Sequence, residues 1–391
     1  MPDTAAAEEL LARLVAFPTV SRDSNLELIE FVRDYLAGHG VESRIVPDET
    51  GRKANLYAQV GPSVPGGVVL SGHTDVVPVD GQPWTVPPFE VTERDGRLYG
   101  RGTADMKGFD ALVLAAVPRM LEAGLTRPVQ IALSHDEEVG CLGAPAMIAE
   151  MRETLPPASA VIVGEPTSLR AVTRHKGVTR ILTELRGHEV HSSLMHRGVS
   201  AVMMAARLVT WAEDRMREAR AAVDPDDPVA QLFDPPYSTW HVGEIHGGTA
   251  PNITAKDCAF WLDIRTMPGE DQDAAIAAYR ARVAEIEAEM QAVRPGTGIS
   301  VTLHSNTPGC AKEPDETAEA ERLVRSITGD NGEHVVAFGT EAGQFQEAGY
   351  SAVICGPGSI EQAHQADEYI ERSQLAAGAD FLDRLIDRLS A

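Results

Sequence analysis

Residues 129–165 read VQIALSHDEEVGCLGAPAMIAEMRETLPPASAVIVGE, and this segment is the clearest indication of the fold class. It opens with the apolar strand VQIALS, passes through an acidic loop into the helix APAMIAEMRETL, and ends with the apolar strand ASAVIVGE. Upstream, the extended segments RIVPD, NLYAQV and VVLSGH precede an Ala/Leu-rich helix over 109–123. Strands that alternate with helices predict an α/β domain with a mostly parallel sheet, covered by helices on both faces.

The pattern changes after about His175. The segment GVTRILTELRG alternates apolar residues with Thr, Arg and Glu, which is typical of a half-exposed strand. A helix (VSAVMMAARLVTWAEDRMRE), a strand (CAFWLDIRTM), a second helix (DQDAAIAAYRARVAEIEAEM) and a strand (ISVTLHS) follow. We expect a smaller α+β domain inserted into the first. The predicted boundaries are 1–176 and 312–391 for a discontinuous catalytic domain, and 177–311 for a lid and dimerisation domain.

The chain has 391 residues, which exceeds the usual size of a single core, so two domains are expected. No apolar run approaches the ~20 residues that a membrane span needs. The N-terminus is acidic and helical, unlike a signal peptide, and we expect a cytoplasmic protein. The net charge of −24 argues against nucleic acid or an anionic membrane as a partner.

The four cysteines, Cys141, Cys258, Cys310 and Cys355, are far apart and form no CxxC pair. A disulfide framework or a thiolate zinc site is therefore not expected, and buried free thiols are favoured.

Acids and histidines stand where the predicted strands end. In VVLSGHTDVVP, a buried strand leads into His73 and Asp75, whose side chains point the same way on an extended chain. Asp75 could then orient a metal-bound His73 imidazole. The alternative is a turn with capping polar residues. In GRGTADMKG, Asp105 follows a glycine-rich turn; the spacing is not that of a phosphate-binding loop, so a metal ligand is favoured.

Three further segments carry acids and a histidine. The strand VQIALS leads to Glu137 and Glu138, which would repel each other at a buried strand end unless a cation neutralised one. A solvated helix start is the alternative. The strand AVIVGE ends at Glu165 before a proline, and a Gly-Pro-Gly loop leads to His364. All five segments should meet at the edge where the strands' carboxyl ends lie.

Imidazole and carboxylate ligands without thiolate suit zinc, cobalt or manganese. Three carboxylates, from Asp105, Glu138 and Glu165, balance two divalent ions and one bridging hydroxide. One metal would leave the cluster strongly negative. The predicted cofactor is therefore two divalent ions, with zinc favoured.

Together these motifs resemble the dinuclear metallohydrolases that include acetylornithine deacetylase, succinyl-diaminopimelate desuccinylase, aminoacylase and glutamate carboxypeptidase. The resemblance covers nearly the whole chain in order: SGHTDVVP, GRGTADMKG, DEEVGCLGA, GEPT and a late histidine. The segment GPGSIEQAHQADEYI, with TEAGQF before it, is most similar to the acetylornithine deacetylases.

The resemblance implies a role for each site residue. His73 and Glu165 would hold one metal, Glu138 and His364 the other, and Asp105 would bridge both. Asp75 would orient His73, and Glu137 would be the general base. The peptide bond after the bridging aspartate is often cis in this family, which extends to Asp105–Met106. His135, His175 and His196 receive no role and are interpreted as ordinary polar residues.

The resemblance also covers the predicted lid. His191 corresponds to a histidine that crosses from a partner subunit to stabilise an oxyanion, which implies a homodimer. Asn252 and Arg265 correspond to residues that grip the substrate α-carboxylate. Thr340 and Glu341 fall in the similar loop FGTEAGQF, where Glu341 is a candidate counter-charge for a substrate δ-ammonium.

The predicted reaction is metal-dependent amide hydrolysis that releases acetate from N2-acetyl-L-ornithine through attack of a bridging hydroxide. A desuccinylase or a broader N-acyl-amino-acid deacylase of the same family is the alternative. A two-metal phosphoesterase is less favoured, because it should show basic residues for phosphate, and Lys107 is the one candidate considered for that role. A non-catalytic binding protein should lack a ligand or the base, yet all seven positions are filled.

Overall fold

The computed structural model describes residues 4–391 and divides into two compact units. The first unit comprises Met1–Arg174, Cys310–Val335 and Thr340–Ala391, and the second comprises His175–Gly309 and Val336–Gly339. The predicted first segment begins at residue 1, and residues 1–3 lie outside the described part. The chain passes from the first unit to the second after Arg174 and returns after Gly309, in each case two residues before the predicted boundary. The short segment Val336–Gly339 was not expected in the second unit.

The described residues form fifteen strands and ten α-helices. In chain order the strands are β1 (Ser43–Pro47), β2 (Ala54–Val60), β3 (Gly67–His73), β4 (Thr92–Arg94), β5 (Arg97–Tyr99), β6 (Val129–Ser134), β7 (Ala158–Pro166), β8 (Val172–His175), β9 (Gly177–Arg186), β10 (Thr239–Gly247), β11 (Asp257–Thr266), β12 (Gly298–Thr307), β13 (His334–Val336), β14 (Ala352–Gly356) and β15 (Tyr369–Glu371). The helices are α1 (Ala5–Val15), α2 (Leu26–Gly38), α3 (Lys107–Ala115), α4 (Val117–Glu122), α5 (Ala144–Thr154), α6 (Ala201–Ala221), α7 (Gln272–Val293), α8 (Glu319–Thr328), α9 (Ala342–Glu347) and α10 (Arg372–Ser390).

An eight-stranded sheet carries the first unit, in the order β1-β2-β6-β3-β7-β14-β8-β13. Its four central strands, β6, β3, β7 and β14, run parallel to one another. The β1–β2, β2–β6 and β14–β8 pairs are antiparallel. The expected α/β class is confirmed, with a mixed sheet whose parallel part is its centre. The carboxyl ends of β3, β6, β7 and β14 consequently share one edge.

The central strands are buried on both faces. Every residue of β3 and of β6 is buried, although their side chains alternate between the two faces. One apolar cluster joins the sheet to α1, α2, α3, α8 and α10, and α5 packs elsewhere against β2 and β6. Two covered faces account for the near-continuous apolar sequence of these strands, which differs from the alternation seen after His175.

The second unit is a four-stranded antiparallel sheet, ordered β10-β11-β9-β12, with α6 and α7 packed on it. Strand β11 alternates buried and half-buried residues, as a sheet with one covered face requires. The α+β prediction is confirmed in class, but β10 was missed. Its sequence, TWHVGEIHG, is mostly exposed and polar, so it lacks the apolar alternation that marks its neighbours.

All four cysteines are unpaired and buried, as the sequence predicted. Within residues 4–391, none of the helices has the length and apolar character required to cross a bilayer.

Candidate metal centre

His73 ends β3, and its imidazole is buried. Its Nδ1 lies 2.9 Å from the main-chain carbonyl oxygen of Asp75, which can only accept, so Nδ1 carries the proton. A neutral ring then presents the Nε2 lone pair, which lies 3.0 Å from Asp105 Oδ1 and 3.8 Å from Glu165 Oε1. A lone pair that faces carboxylate oxygens requires a cation between them, either a proton or a metal ion.

The orienting contact differs from the sequence prediction. We expected the carboxylate of Asp75 to hold His73, but its Oδ1 lies 3.7 Å from Nδ1, and the main-chain oxygen is closer. The carboxylate instead accepts the Ser21 hydroxyl at 2.6 Å and the main-chain N–H groups of Glu137 and Glu138 at 3.1 and 3.3 Å. Asp75 therefore ties the acidic pair after β6 to the end of β3.

Asp105 turns one carboxylate oxygen toward each histidine. Its Oδ1 lies 3.0 Å from His73 Nε2, and its Oδ2 lies 3.1 Å from His364 Nε2. The Asp105–Met106 peptide bond is cis, as the resemblance implied. One carboxylate oxygen toward each histidine is the geometry expected of a bridging carboxylate.

The helix that follows Asp105, α3, packs closely on β3 because Gly72 has no side chain, and a Cβ added there would clash with Asp110 Oδ1.

The remaining predicted ligands complete two groups. Glu138 Oε2 lies 3.0 Å from His364 Nε2, and Glu165, buried near the end of β7, faces His73. His364 adopts a left-handed backbone conformation (φ 61°) in the loop after β14, and its side chain is 48% exposed. The carboxylates of Glu138 and Glu165 are nearly inaccessible, so the centre is open mainly at His364.

These residues fit a pair of metal ions. Ligand atoms of His73, Glu137 and Glu165 lie within 4.8 Å of one another, as do those of His73, Asp105 and Glu138. Tetrahedral zinc with bonds of ~2.0–2.2 Å separates its donor atoms by ~3.3–3.6 Å. The observed donor separations of 3.0–3.8 Å around His73 and His364 bracket that spacing.

Electrostatics shows the same need for positive charge. Burial, with the neighbouring carboxylates, raises the pKa of Glu137 to about 8 and the pKa of Glu138 to about 7. Burial and the proximity of Asp105 raise the pKa of Glu165 well above its ordinary value. Burial would lower the pKa of His364, but its contacts with Asp105 and Glu138 raise it to about 11. Without a metal, the cluster is expected to retain protons in its place.

Residues 69–388 match the Peptidase family M20/M25/M40. The chain belongs to this family. An acetylornithine deacetylase from Photorhabdus laumondii is 36% identical over 388 residues, which cover 97% of this chain and 96% of the relative. Family membership, this relative and the donor cluster together make the chain a metal-dependent amide hydrolase.

Two solved structures of M20 proteins share the fold. An M20 family metallo-carboxypeptidase from Sulfolobus solfataricus aligns with a TM-score of 0.76 at 18% identity, covering 98% of this chain and 99% of the other. The Bacillus subtilis YXEP protein, described as a dinuclear metal binding peptidase from the M20 family, aligns with a TM-score of 0.64 at 14% identity over 99% of each chain.

The M20 resemblance also assigned residues of the second unit. The main-chain oxygen of Asn252 accepts the N–H of Ser192, and His191 bridges to Ile253, so the predicted His191 and Asn252 are neighbours within that unit. His191 is exposed, and its Nδ1 lies 2.8 Å from the Ser193 hydroxyl. These contacts place the two residues on one exposed loop pair.

Arg265, on β11, already has a carboxylate partner. Its Nε and Nη2 lie 2.7 and 3.1 Å from the two oxygens of Asp263. A substrate carboxylate would have to share or displace that contact.

Thr340 and Glu341 are both buried in the first unit. The carboxylate of Glu341 accepts the Ser71 hydroxyl at 3.0 Å and also accepts the Ser134 hydroxyl. The side chain is 1% exposed, so a substrate ammonium could reach it only after a local rearrangement. The Thr340 hydroxyl accepts the N–H of Ala342. The sequence could not distinguish this buried acid from an exposed one.

The three histidines without a predicted role lie outside the donor groups. His135 is buried beside Asp136, His175 is buried with Nδ1 2.9 Å from the Lys176 carbonyl oxygen, and His196 is exposed.

The sequence did not reveal two residues that contact the candidate metal centre without belonging to its set of ligands. The Cys141 thiol donates to Glu137 Oε1 at 3.2 Å, and Glu368 accepts the main-chain N–H of Asp105 at 3.1 Å. Both residues stand inside motifs quoted above. No spacing rule separates them from ordinary loop residues, because their role depends on burial.

Proposed function

We propose that this chain is a two-metal deacylase that releases acetate from N2-acetyl-L-ornithine. The observation that carries the proposal is the carboxylate of Asp105, with one oxygen toward His73 and the other toward His364. The P. laumondii acetylornithine deacetylase, whose similarity extends over 97% of this chain, suggests the substrate. The dinuclear description of the YXEP protein supports two ions.

When bound, the divalent cations would lower the pKa of water from ~15.7 to about 7 and polarise the amide carbonyl. His73, Asp105, Glu138, Glu165 and His364 would hold them. Zinc is proposed because the donors are imidazole and carboxylate, with cobalt or manganese as substitutes.

Glu137 would be the general base. Its carboxylate lies in the same donor group as His73 and Glu165, so it would lie beside a water held there by the metal ions. As the water oxygen bonds to the carbonyl carbon, Glu137 takes the proton, and it returns that proton to the nitrogen when the C–N bond breaks. Proton transfer of this kind typically contributes 10²–10⁴-fold. Burial, which raises the pKa of Glu137 to about 8, suits a group that must both accept and donate.

We further propose that His191 donates to the developing oxyanion and that Asn252 and Arg265 bind the substrate α-carboxylate. The support for these roles is the M20 resemblance, together with the exposure of His191 and Asn252. Asp263 would hold the Arg265 guanidinium in a fixed orientation before the substrate arrives.

A deacylation panel tests the proposal. The protein is stripped by chelation, restored with zinc or cobalt, and assayed on acetylornithine, succinyl-diaminopimelate and neutral acetyl-amino acids. We expect the highest kcat/KM on acetylornithine, and only after metal is restored. A higher value on succinyl-diaminopimelate, or equal values on all acetyl-amino acids, would replace the proposed substrate. Turnover that survives complete chelation would reject the metal mechanism.

The phosphoesterase alternative loses support. Lys107 is fully buried, and its Nζ donates to the main-chain oxygens of Leu14 and Phe17, so it is not presented to a phosphate.

A homodimer is proposed from the second unit. Strand β10 lies at the edge of its sheet and could pair with a second copy. Large apolar side chains are exposed on this unit, at Leu194, Met195, Met203 and Ile245. Sedimentation equilibrium should give twice the chain mass; a single-chain mass at micromolar concentration would reject the dimer.

A further inference from the structure

We infer that Glu368, Arg101 and Gln82 form a positioning network that fixes two metal ligands, Asp105 and His364, relative to each other. The inference rests on the proposed two-metal function and extends it to three residues that touch no metal. Asp105 and His364 come from distant parts of the chain, and the network joins the main chains that carry them.

Glu368 holds the Asp105 side of the network. Its Oε1 accepts the main-chain N–H groups of Ala104 and Asp105 at 2.9 and 3.1 Å, and its main-chain oxygen accepts the N–H of Gly100 at 2.9 Å. One side chain therefore fixes the glycine-rich turn directly at the bridging aspartate. The contact acts on the main chain of Asp105, so it fixes the position of the backbone from which the Asp105 carboxylate extends.

Gln82 holds the His364 side. Its Nε2 donates to the main-chain oxygen of His364 at 3.0 Å. His364 occupies a left-handed conformation and its side chain is half exposed, so burial of the side chain does little to fix the imidazole. Its position therefore depends on the main-chain contacts around it.

Arg101 connects the two sides. Its Nη1 donates to Glu368 Oε2 at 2.6 Å, and its Nη2 donates to Gln82 Oε1 at 2.5 Å. The guanidinium also lies over the Trp84 ring, 5.1 Å from its centroid, and the Trp84 N–H donates to the same Gln82 oxygen. The Arg101 and Glu368 side chains are each 1% exposed, so solvent does not weaken the ion pair between them.

A buried ion pair is a poor source of net stability, because desolvation offsets its attraction. Its value here is geometric, since it fixes the relative position of two loops. Hydrogen-bonded neighbours of metal ligands orient those ligands, and their removal typically costs ~10–100-fold in metal affinity. Metal retention should therefore respond to this network even in a variant, such as Gln82→Ala, that keeps the buried Arg101–Glu368 ion pair.

The test compares Gln82→Ala and Glu368→Gln with Glu371→Gln. Glu371 pairs with Arg97 at 2.8 Å in the same region and touches neither metal ligand, so it controls for loss of an ion pair. Each full-length protein is loaded with zinc and equilibrated against a graded series of chelator. Bound zinc is then measured by elemental analysis. Thermal unfolding of each metal-stripped protein is recorded alongside.

We expect Gln82→Ala and Glu368→Gln to lose zinc at ~10-fold or more lower chelator concentration than the wild type. The Glu371→Gln protein should follow the wild type. The stripped Gln82→Ala protein should unfold close to the wild-type temperature, because it keeps the buried Arg101–Glu368 ion pair and loses only hydrogen bonds to a partly exposed side chain. Should Glu368→Gln fail to fold, Gln82→Ala alone decides.

Unchanged zinc retention in Gln82→Ala, or equal losses in Gln82→Ala and Glu371→Gln, would overturn the inference. Failure of the proposed function is recognised separately, since it would appear as absent zinc binding or absent deacylation in the wild type. Zinc binding that is normal in the wild type and in every variant removes only the positioning role.

Discussion

The thiol of Cys141 donates a hydrogen bond to Glu137 Oε1 across 3.2 Å. Glu137, the proposed base, thus accepts a hydrogen bond from a buried thiol. Cys141 is itself held in place, because its main-chain carbonyl oxygen accepts a hydrogen bond from the side-chain amide of Gln344 at 2.8 Å. A donor to a carboxylate favours its charged form, which is the form that accepts a proton from water.

Replacement of Cys141 should therefore alter the pH dependence of turnover. In Cys141→Ala the lost donor raises the pKa of Glu137 further, and the acidic limb of kcat/KM should move to higher pH. Cys141→Ser keeps a donor and should restore the limb toward the wild-type position. Identical limbs in all three proteins would show that the thiol does not act on the base.

Glu137→Gln should retain zinc and fold normally but lose at least ~10²-fold in kcat, since the amide cannot take a proton from water. Zinc content, unfolding temperature and acetylornithine turnover are measured together. Glu153→Gln, on the exposed side of α5, is the matched control and should be fully active. Near-normal kcat in Glu137→Gln would remove this residue from the mechanism.

Removal of metal should destabilise the protein increasingly as the pH rises. Burial raises the folded-state pKa of Glu137 to about 8 and of Glu138 to about 7, so the metal-free fold retains protons that the unfolded chain releases near pH 4.5. The contribution of these two acids to the stability of the metal-free protein is fully present below that unfolded value and is lost as the pH rises through 7 and 8.

Bound metal replaces those protons, so the gain in unfolding temperature on adding zinc should grow between about pH 5.5 and 8.5. Calorimetry of stripped and zinc-loaded protein measures it, with potassium chloride at equal ionic strength as the control. A gain that is constant with pH would mean that the acids are already neutralised in another way.

His175 should make the fold sensitive to acid. Burial lowers its pKa from 6.5 to about 4, and the ring Nε2 has no partner among the described residues. The unfolded chain therefore binds a proton that the folded protein excludes. This contribution is fully present above pH 6.5 and is lost as the pH falls toward 4, up to about 3 kcal/mol.

The check is urea unfolding of wild type and His175→Asn at several values between pH 7 and 4.5. An Asn amide can still donate to the Lys176 carbonyl oxygen but does not titrate. The free energy of unfolding of the wild type should fall toward that of His175→Asn as the pH falls, since only the wild type has a buried imidazole that the unfolded chain protonates more readily. A difference that stays constant would contradict the assignment.

Glu341 provides a test of substrate choice. Because its carboxylate is buried against Ser71 and Ser134, we expect Glu341→Gln to lower the free energy of unfolding. The ratio of kcat/KM for acetylornithine over acetyl-leucine should stay unchanged. A collapse of that ratio would instead support the counter-charge role suggested by the loop sequence, and would require Glu341 to become accessible when substrate binds.

Much of the fold and the metal centre was predictable, because both depend on strand ends. Apolar runs located β3, β6 and β7, and the parallel arrangement of their carboxyl ends brought His73, Glu138 and Glu165 together. The exposed strand β10 was missed because its polar sequence carries no periodic signal. The sequence also could not reveal that the main-chain oxygen of Asp75 holds His73, since any residue type supplies that oxygen.

The discontinuity of the first unit has a consequence for synthesis. A ribosome has made most of the chain before His364 emerges, so a nascent or truncated product carries Asp105 and Glu138 without their second imidazole. Such fragments can offer only part of the donor set to cellular zinc. The complete donor set, and with it hydrolytic competence, should therefore arise only after the C-terminal segment has been made and has docked.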